Sequence, residues 1–234
     1  MAKREVAKRK KGPSKVQTFD WGETIILGFT GSLGSGCSFM AEGIKEYLGV
    51  NAFHYKLSDF LRERLEKRGI DKPTTAQLQD EGNELRKEKG LSVLATFCLD
   101  RIIEEGKKNP YTKETVILVD GIRNDGEVRS FRAFPNFYLI SIHAEEETRK
   151  ARLVGSSAPD TRFEGMGEFE EADKRDQEEN IEYGQQVKRC NYLADIIVNN
   201  EDRLTKAATK KRAAFFSRIV QDYIGTMKAV REGS

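Results

Sequence analysis

The residues with the clearest capacity for chemistry lie in a glycine-rich segment, GSLGSGCS, that runs from Gly31 to Ser38. An apolar run precedes the segment and an amphipathic helical pattern follows it, which is the strand, turn and helix order of a phosphate-binding loop. Backbone N–H groups in such a turn converge on an anion, and the positive end of the helix dipole strengthens the attraction. The residues predicted to form this cradle are Gly31, Ser32, Gly34, Ser35, Gly36, Cys37 and Ser38.

Cys37 is the one departure from the Walker A spacing, in which lysine precedes the final serine or threonine. A thiol carries no positive charge, and we expect the helix N-terminus to lower its pKa and favour a thiolate that repels phosphate. Three alternatives remain open: weaker triphosphate binding, replacement of the lysine by another cation, or a packing role for Cys37. The candidate cations are Lys56, Arg123, Arg149 and Arg152.

Apolar segments rich in β-branched or aromatic residues alternate with helical patterns along the chain. The five predicted strands are Ile25–Phe29, Phe53–Leu57, Thr115–Asp120, Phe137–His143 and Asp195–Asn199. This alternation predicts an α/β fold with a parallel sheet that is covered on both faces.

The helical patterns are unevenly distributed. Three of them, at about 58–69, 74–89 and 92–106, lie between the second and third strands, which is more than a crossover needs and suits a substrate-binding insertion. The polar segment 155–168 predicts a mobile loop, and a charged helix is expected over 170–190. A final helix over 201–225 is expected to pack on the sheet.

Charge and cysteine content limit the functional classes. Residues 1–15 contain seven Lys or Arg and one Glu within a chain of net charge +2, so residues 1–19 are interpreted as a flexible basic tail; weak nucleic-acid contact is the alternative. Three widely separated cysteines favour a reducing, cytoplasmic setting. We expect no membrane partner, because no apolar run reaches the length of a membrane span.

Four further stretches carry a resemblance to a known family. They are LSDFLRERL (57–65), QDEGNELRKEKG (79–90), VDGIRNDGEV (119–128) and GQQVKRCNYLADIIVNN (184–200). Together with the loop, they resemble the P-loop nucleoside and deoxynucleoside monophosphate kinases, dephospho-coenzyme A kinase and the kinase-like domains fused to deaminases. The resemblance implies a three-layer P-loop NTPase fold over residues 20–230 with strand order 2-3-1-4-5. It also implies a nucleoside-monophosphate-binding insertion at about 58–106 and a lid at about 153–180.

The resemblance also implies roles for individual side chains. Ser38 and Asp120 would hold Mg²⁺, while Arg123, Arg149 and Arg152 would act with Asp120 as the catalytic set that neutralises phosphate charge. Asn199, or the adjacent Asn200, would contact the adenine of ATP. The residues implied for the acceptor are Ser58, Asp59, Arg62, Asn83 and Arg86. Weaker candidates, for which a solvated surface role remains open, are Arg162, Asp173, Arg175 and Asp176.

Three functional hypotheses follow. The first is a nucleotide kinase that uses ATP and Mg²⁺ to phosphorylate a small phosphorylated acceptor. The second is a non-catalytic nucleotide sensor with a degenerate loop, and the third is a nucleic-acid-associated protein that uses the basic tail. A homodimer is compatible with each of them. His143-Ala144-Glu145 matches the HxE part of a zinc deaminase signature, but no PCxxC follows, which argues against deamination.

Substitutions in the loop test its predicted role. Gly36→Val should abolish Mg-ATP binding because a side chain there would block the phosphate. Cys37→Ala should leave binding nearly unchanged, whereas Cys37→Lys should tighten it by about 1–2 kcal/mol through one charge-assisted contact. Isothermal titration calorimetry measures all three variants. Loss of binding in Cys37→Ala but not in Gly36→Val would show that the segment is ordinary scaffold.

Overall fold

The fold is a five-stranded parallel sheet with helices on both faces. The computed structural model describes residues 24–49, 52–109, 111, 115–154, 163, 166–177 and 182–201, and scattered positions between 211 and 229. The strands are β1 Ile25–Thr30, β2 Ala52–Lys56, β3 Val116–Asp120, β4 Phe137–His143 and β5 Ile196–Asn199. Their spatial order is β2-β3-β1-β4-β5 and all four pairings are parallel. The predicted fold class and strand order are therefore confirmed.

Eight helices lie within the described residues. They are α1 Cys37–Leu48, α2 Leu57–Glu66, α3 Thr75–Lys89, α4 Val93–Lys108, α5 Asp125–Phe131, α6 Glu146–Leu153, α7 Met166–Gln177 and α8 Val187–Tyr192. The three helices between β2 and β3 match the predicted insertion within a few residues. Thr74 begins α3 with a capping box, because its side chain accepts from the Gln77 backbone and the Gln77 side chain accepts from the Thr74 backbone.

The central strand β1 is buried on both faces, as a parallel strand in a three-layer fold must be. Leu27 and Phe29 pack with Met40 and Ile44 of α1 on one face. Gly28 faces the other layer, where a Cβ atom would lie 2.6 Å from Ile122 Cδ1 and 2.7 Å from Phe137. The missing side chain of Gly28 therefore makes room for a bulky apolar contact between neighbouring elements.

The predicted continuous helix over 170–190 is wrong. The structure has two helices there, α7 and α8, and α7 begins at Met166, inside the segment expected to be a loop. Phe169, Ala172, Asp173 and Asp176 form the buried face of α7 at helical spacing. Two of these four residues are aspartates, so the buried face of α7 does not read as an apolar stripe in the sequence. Their burial depends on arginine partners from other elements.

Three sequence predictions fall mainly outside the described residues. These are the basic tail, most of the loop over 155–168 and most of the final helix over 201–225. Described positions of that segment, such as Phe215 and Ser217, are helical. Ser217 is buried whereas Phe215 is 65% exposed, so Phe215 does not pack on the sheet as expected.

A fully buried carboxylate, Glu127, joins the insertion to the end of β3. One oxygen accepts hydrogen bonds from the backbone N–H groups of Arg123 at 2.8 Å and Asn124 at 3.1 Å. The other accepts from Arg86 of α3, from Nη2 at 2.9 Å and Nε at 3.3 Å. Both members of this pair are buried, so each depends on the other for compensation of its charge.

We expect Glu127→Ala to lower the free energy of unfolding by about 3–5 kcal/mol, because it leaves the buried Arg86 guanidinium uncompensated. The matched control is Glu63→Ala, which removes the partly exposed Arg101–Glu63 pair and should cost under about 1 kcal/mol. Urea unfolding followed by circular dichroism measures both values. Equal losses in the two variants would contradict the central role of Glu127.

Candidate functional site

A cavity of about 950 Å³ opens at the carboxyl ends of β1 and β3. This edge of a parallel sheet is where ligands bind in open α/β folds. The glycine-rich loop forms one wall, and α2 and α3 of the insertion form the opposite wall. Its polar lining from outside the loop includes Ser58, Arg62, Gln79, Arg86, Asp120, Arg123, Thr148, Arg152, Asp176 and Gln185.

The loop adopts the predicted turn between β1 and α1. Gly34 and Gly36 have φ values of 81° and 103°, which favour glycine over residues with a Cβ atom. A Cβ atom on Gly36 would lie 2.5 Å from the Asn200 side-chain nitrogen. That nitrogen donates to the Ser35 carbonyl at 2.7 Å. Glycine is thus required at position 36 for two reasons: its backbone conformation, and the Asn200 side chain, which leaves no room for a Cβ atom.

Ser38 and Asp120 meet at the start of α1 and the end of β3. The Ser38 hydroxyl donates to Asp120 Oδ2 at 2.5 Å. Burial raises the pKa of the Asp120 carboxyl, while the Ser38 hydrogen bond and the nearby Arg123 charge act in the opposite direction. A hydroxyl and a carboxylate in contact are a donor set that suits Mg²⁺, so the predicted metal pair fits the geometry.

Cys37 is a half-buried thiol in the lining of the cavity. Burial, followed by the Asp120 charge, raises its pKa to about 12, while the Ser35 hydroxyl, 3.4 Å away, acts in the opposite direction. This direction is opposite to the lowered pKa expected from the helix N-terminus, because desolvation and the Asp120 carboxylate both favour the neutral thiol. Arg123 is also close enough to act on the thiol. A guanidinium thus lies near the position of the missing lysine.

Arg123 is already paired in this structure. Its guanidinium forms an ion pair with Asp176 of α7, and the Asp176 side chain is fully buried. The second oxygen of that carboxylate, Asp176 Oδ1, has no hydrogen-bond partner among the described residues. Lys56, the alternative cation, instead binds Glu42 at 2.6 Å and does not line the cavity. Of the lysine replacements considered, Arg123 has the best position.

Arg149 has a different place from the one expected. It donates to both oxygens of Asp173, at 2.5 and 3.0 Å, and to the Leu33 and Ala144 carbonyls at 3.0 and 3.1 Å. Arg149 is buried, its guanidinium is hydrogen-bonded to these partners, and it does not line the cavity. Its visible effect is to fasten α7 to the glycine-rich loop.

Arg152 lies in the cavity wall and holds the loop from its carbonyl side. Its Nη1 donates to the Gly34 and Ser35 carbonyls at 3.1 and 3.3 Å, and its Nη2 donates to the Asn200 carbonyl. The two predicted lid arginines therefore differ in position. Arg149 binds α7 and does not line the cavity, whereas Arg152 binds the loop carbonyls and lines the cavity.

The acceptor candidates also divide. Ser58, Arg62 and Arg86 line the cavity, and Arg62 makes no hydrogen bond or ion pair within the described residues. Arg86 Nη1 is buried and has no partner there either. Asn83 does not line this cavity, and Asp59 lines a smaller one beside β2 instead.

Asn199 is also displaced from its predicted role. Its exposed side chain accepts from the Glu201 backbone at 3.1 Å, and the neighbouring Asn200 reaches the loop. Of the weaker candidates, Asp173 and Asp176 hold arginines, and Arg175 binds Asp80 at the surface. Arg162 lies outside the described residues.

Sequence reasoning missed three glutamines that connect α7 to the site. Gln79 donates to the Ala172 carbonyl at 2.9 Å and to the Gln185 side chain at 3.0 Å. Gln177 donates to the Ser32 hydroxyl at 2.6 Å. Gln79 and Gln185 lie within the stretches that carry the family resemblance, so the motif was the available signal.

The fold and the loop define a class first: this is a protein with the P-loop kinase fold. The solved structure of shikimate kinase from Acinetobacter baumannii in complex with shikimate is similar at a TM-score of 0.50, over 87% of this chain and 96% of that one. At 12% identity, the similarity concerns the fold alone.

Sequence comparison then identifies the family. A UPF0200 protein of Methanoregula boonei is 33% identical over 180 residues, covering 76% of this chain and 89% of the relative. A UPF0200 protein of Methanocaldococcus jannaschii is 32% identical over 177 residues, covering 76% and 82%. This protein belongs to the UPF0200 family. No family model matches the sequence. Within the described part of the chain, no helix has the length and apolarity of a membrane span.

The raised pKa of Cys37 predicts a slow thiol. Because the thiol stays protonated, its reaction with iodoacetamide at pH 8 should be much slower than that of a free cysteine, with the rate rising toward pH 11. Mass spectrometry after timed alkylation, with Cys98→Ala/Cys190→Ala as the background, isolates this residue. Rapid alkylation at pH 7 would restore the thiolate interpretation.

Proposed function

We propose that this protein is an ATP-dependent phosphotransferase that transfers the γ-phosphoryl group of ATP to a phosphorylated acceptor of the nucleoside or deoxynucleoside monophosphate class. The observation that carries the proposal is the arrangement of one cavity. The Ser38–Asp120 pair and the glycine-rich loop lie at one end. Arg62 and Arg86, each with unpaired donors among the described residues, lie at the other.

The division of the cavity suits two phosphorylated ligands. Loop N–H groups would hold the ATP phosphates, and Ser38 with Asp120 would hold Mg²⁺, which supplies charge neutralisation when bound. Glu201 follows β5 and accepts a hydrogen bond from Thr148 at 2.8 Å, and both residues line the cavity, so the adenine would be bound at this end. Arg62 and Arg86 would orient the acceptor phosphate for in-line attack, because guanidinium groups bind phosphate through paired N–H donors.

Arg123 would carry the charge that the missing lysine supplies elsewhere. Its present partner, Asp176, faces the same space as the phosphates. Two anions would then compete for one guanidinium, and Asp176 would have to yield or share Arg123 when ATP binds. Neutralising Asp176 should therefore favour the nucleotide.

The second candidate function is a nucleotide sensor without transfer activity. The Arg123–Asp176 pair favours it, because exchange of Asp176 for phosphate would change the hold on α7. Both candidates require nucleotide binding, and they differ in whether a product forms.

Mass spectrometry of products from Mg-ATP and a panel of nucleoside and deoxynucleoside monophosphates tests the transfer reaction. We expect a diphosphate product from at least one acceptor. Arg62→Gln should raise the KM for the acceptor about ten-fold without changing ATP affinity, which corresponds to one lost charge-assisted contact. Lys67→Gln, an exposed charge removal just after the same helix, is the control and should change neither.

Asp176→Asn tests the competition for Arg123 separately. We expect Mg-ATP affinity to rise several-fold, since a repulsive charge is removed while an amide can still bind Arg123. Asp80→Asn, at the exposed Arg175 contact, is the control. Nucleotide binding without any phosphorylated product across the panel would favour the sensor, and the absence of nucleotide binding would remove both candidates.

A further inference from the structure

Three side chains that can ligate a metal ion converge at the carboxyl ends of β4 and β5. They are His143, Glu145 and Glu201, and one ligand atom from each lies within 4.8 Å of the others. Within the described part of the chain, this is the only group of three such side chains at that spacing. The first two belong to the HxE sequence, for which deamination gives no explanation. The structure adds a third potential ligand to that pair.

Backbone hydrogen bonds bring the two chain segments together. His143 ends β4 and pairs with Asn199 of β5, and the Asn200 N–H donates to the His143 carbonyl at 2.8 Å. The Glu145 N–H, two residues further on, donates to Glu201 Oε1 at 2.6 Å. The segments are thus joined at successive points, so the three side chains meet without a long loop between them and the sheet.

The side chains have a spacing that suits a cation. His143 Nε2 and Glu145 Oε1 are 3.4 Å apart. Two ligands of one tetrahedral Zn²⁺ lie about 3.3–3.4 Å apart, because each bond is about 2.0–2.1 Å long. Glu145 occupies the N-cap position of α6, but its side chain makes no capping hydrogen bond there. Its carboxylate is therefore not needed by the helix.

The carboxylate of Glu201 is oriented by its neighbours. Oε1 accepts the Glu145 N–H, and Oε2 accepts the Thr148 hydroxyl at 2.8 Å. Each carboxylate oxygen has a second lone pair, so both hydrogen bonds can persist when the group ligates a metal. Hydrogen bonds of this kind hold ligating carboxylates in place in metal sites.

The donor set selects the class of cation. One imidazole nitrogen and two carboxylates suit Zn²⁺ and related transition metals, whereas Mg²⁺ prefers oxygen ligands. Two carboxylates balance the charge of one divalent cation, and the cation relieves the repulsion between them. His143 and Glu145 are exposed, so the ion can enter from solvent and water can complete its coordination.

We propose that His143, Glu145 and Glu201 form a binding site for a divalent transition-metal ion, for which Zn²⁺ is the best fit. The site consists of different residues from the proposed magnesium pair and does not depend on the proposed function. A bound ion fastens the turn after β4 to the end of β5. Because Glu201 directly follows Asn200, whose side chain binds the Ser35 carbonyl, the ion also steadies a contact to the glycine-rich loop.

Isothermal titration calorimetry of the full chain with ZnCl₂, in excess MgCl₂ and without nucleotide, tests the site. We expect one Zn²⁺ per chain. His143→Ala and Glu145→Gln should each weaken binding at least about ten-fold, since losing a ligand costs no less than losing a contact behind one. Both side chains are exposed, so both variants should fold. Glu147→Gln removes an exposed charge from the first turn of α6 and is the control, which should bind Zn²⁺ like the wild type.

Thermal unfolding followed by circular dichroism gives a second readout. Zn²⁺ should raise the midpoint of the wild type but not that of His143→Ala, because the ion binds the folded chain. Absence of Zn²⁺ binding would overturn the inference, and so would equal affinity in the wild type and both ligand variants. A loss in Glu147→Gln as large as that in Glu145→Gln would also overturn it, since general charge attraction would then explain the binding. Zinc binding by a protein that transfers no phosphate would refute the kinase proposal and leave this one standing.

Discussion

The buried carboxylate of Glu127 is the interaction on which the site depends. It connects three parts of the chain that are distant in sequence: α3 of the insertion, the turn after β3 and the start of α5. It accepts hydrogen bonds from the backbone N–H groups of Arg123 and Asn124. These bonds fix the position of the Arg123 backbone and so the starting point of its side chain. By holding Arg86 through Nε and Nη2, the carboxylate fixes this guanidinium in the cavity lining and leaves Nη1 without a hydrogen-bond partner among the described residues. One carboxylate thus fixes the Arg86 guanidinium and the backbone of Arg123, as a buried polar network does.

A second set of buried charges holds α7 across the cavity. Asp173 and Asp176 of this helix bind Arg149 and Arg123, which come from α6 and the turn after β3. Gln177 adds a contact to Ser32 of the loop. Because each aspartate is buried against an arginine, the helix is held by compensated charge as well as by the apolar packing of Phe169 with Leu33 and Leu153.

Much of the fold was predictable from the sequence because its signals are local. The strand patterns, the glycine spacing from Gly31 to Ser38 and a carboxylate at the end of β3 each need a short window only. The roles predicted for the arginines were less accurate, because the role of an arginine depends on its ion-pair partner and that partner is distant in sequence. Arg123 pairs with Asp176, 53 positions away, and Arg149 pairs with Asp173, 24 positions away. Equally, the Cys37 pKa depends on burial and on Asp120, which no local pattern reports.

The position of α7 has a consequence for the order of events at the cavity. The same helix touches the loop through Gln177 and touches α3 through the Ala172 carbonyl and the Arg175–Asp80 contact. A rigid-body displacement of α7 would therefore break contacts with the loop and with α3 together. If the proposed nucleotide and acceptor bind at the two ends of the cavity, movement of this one helix would couple their exchange with solvent.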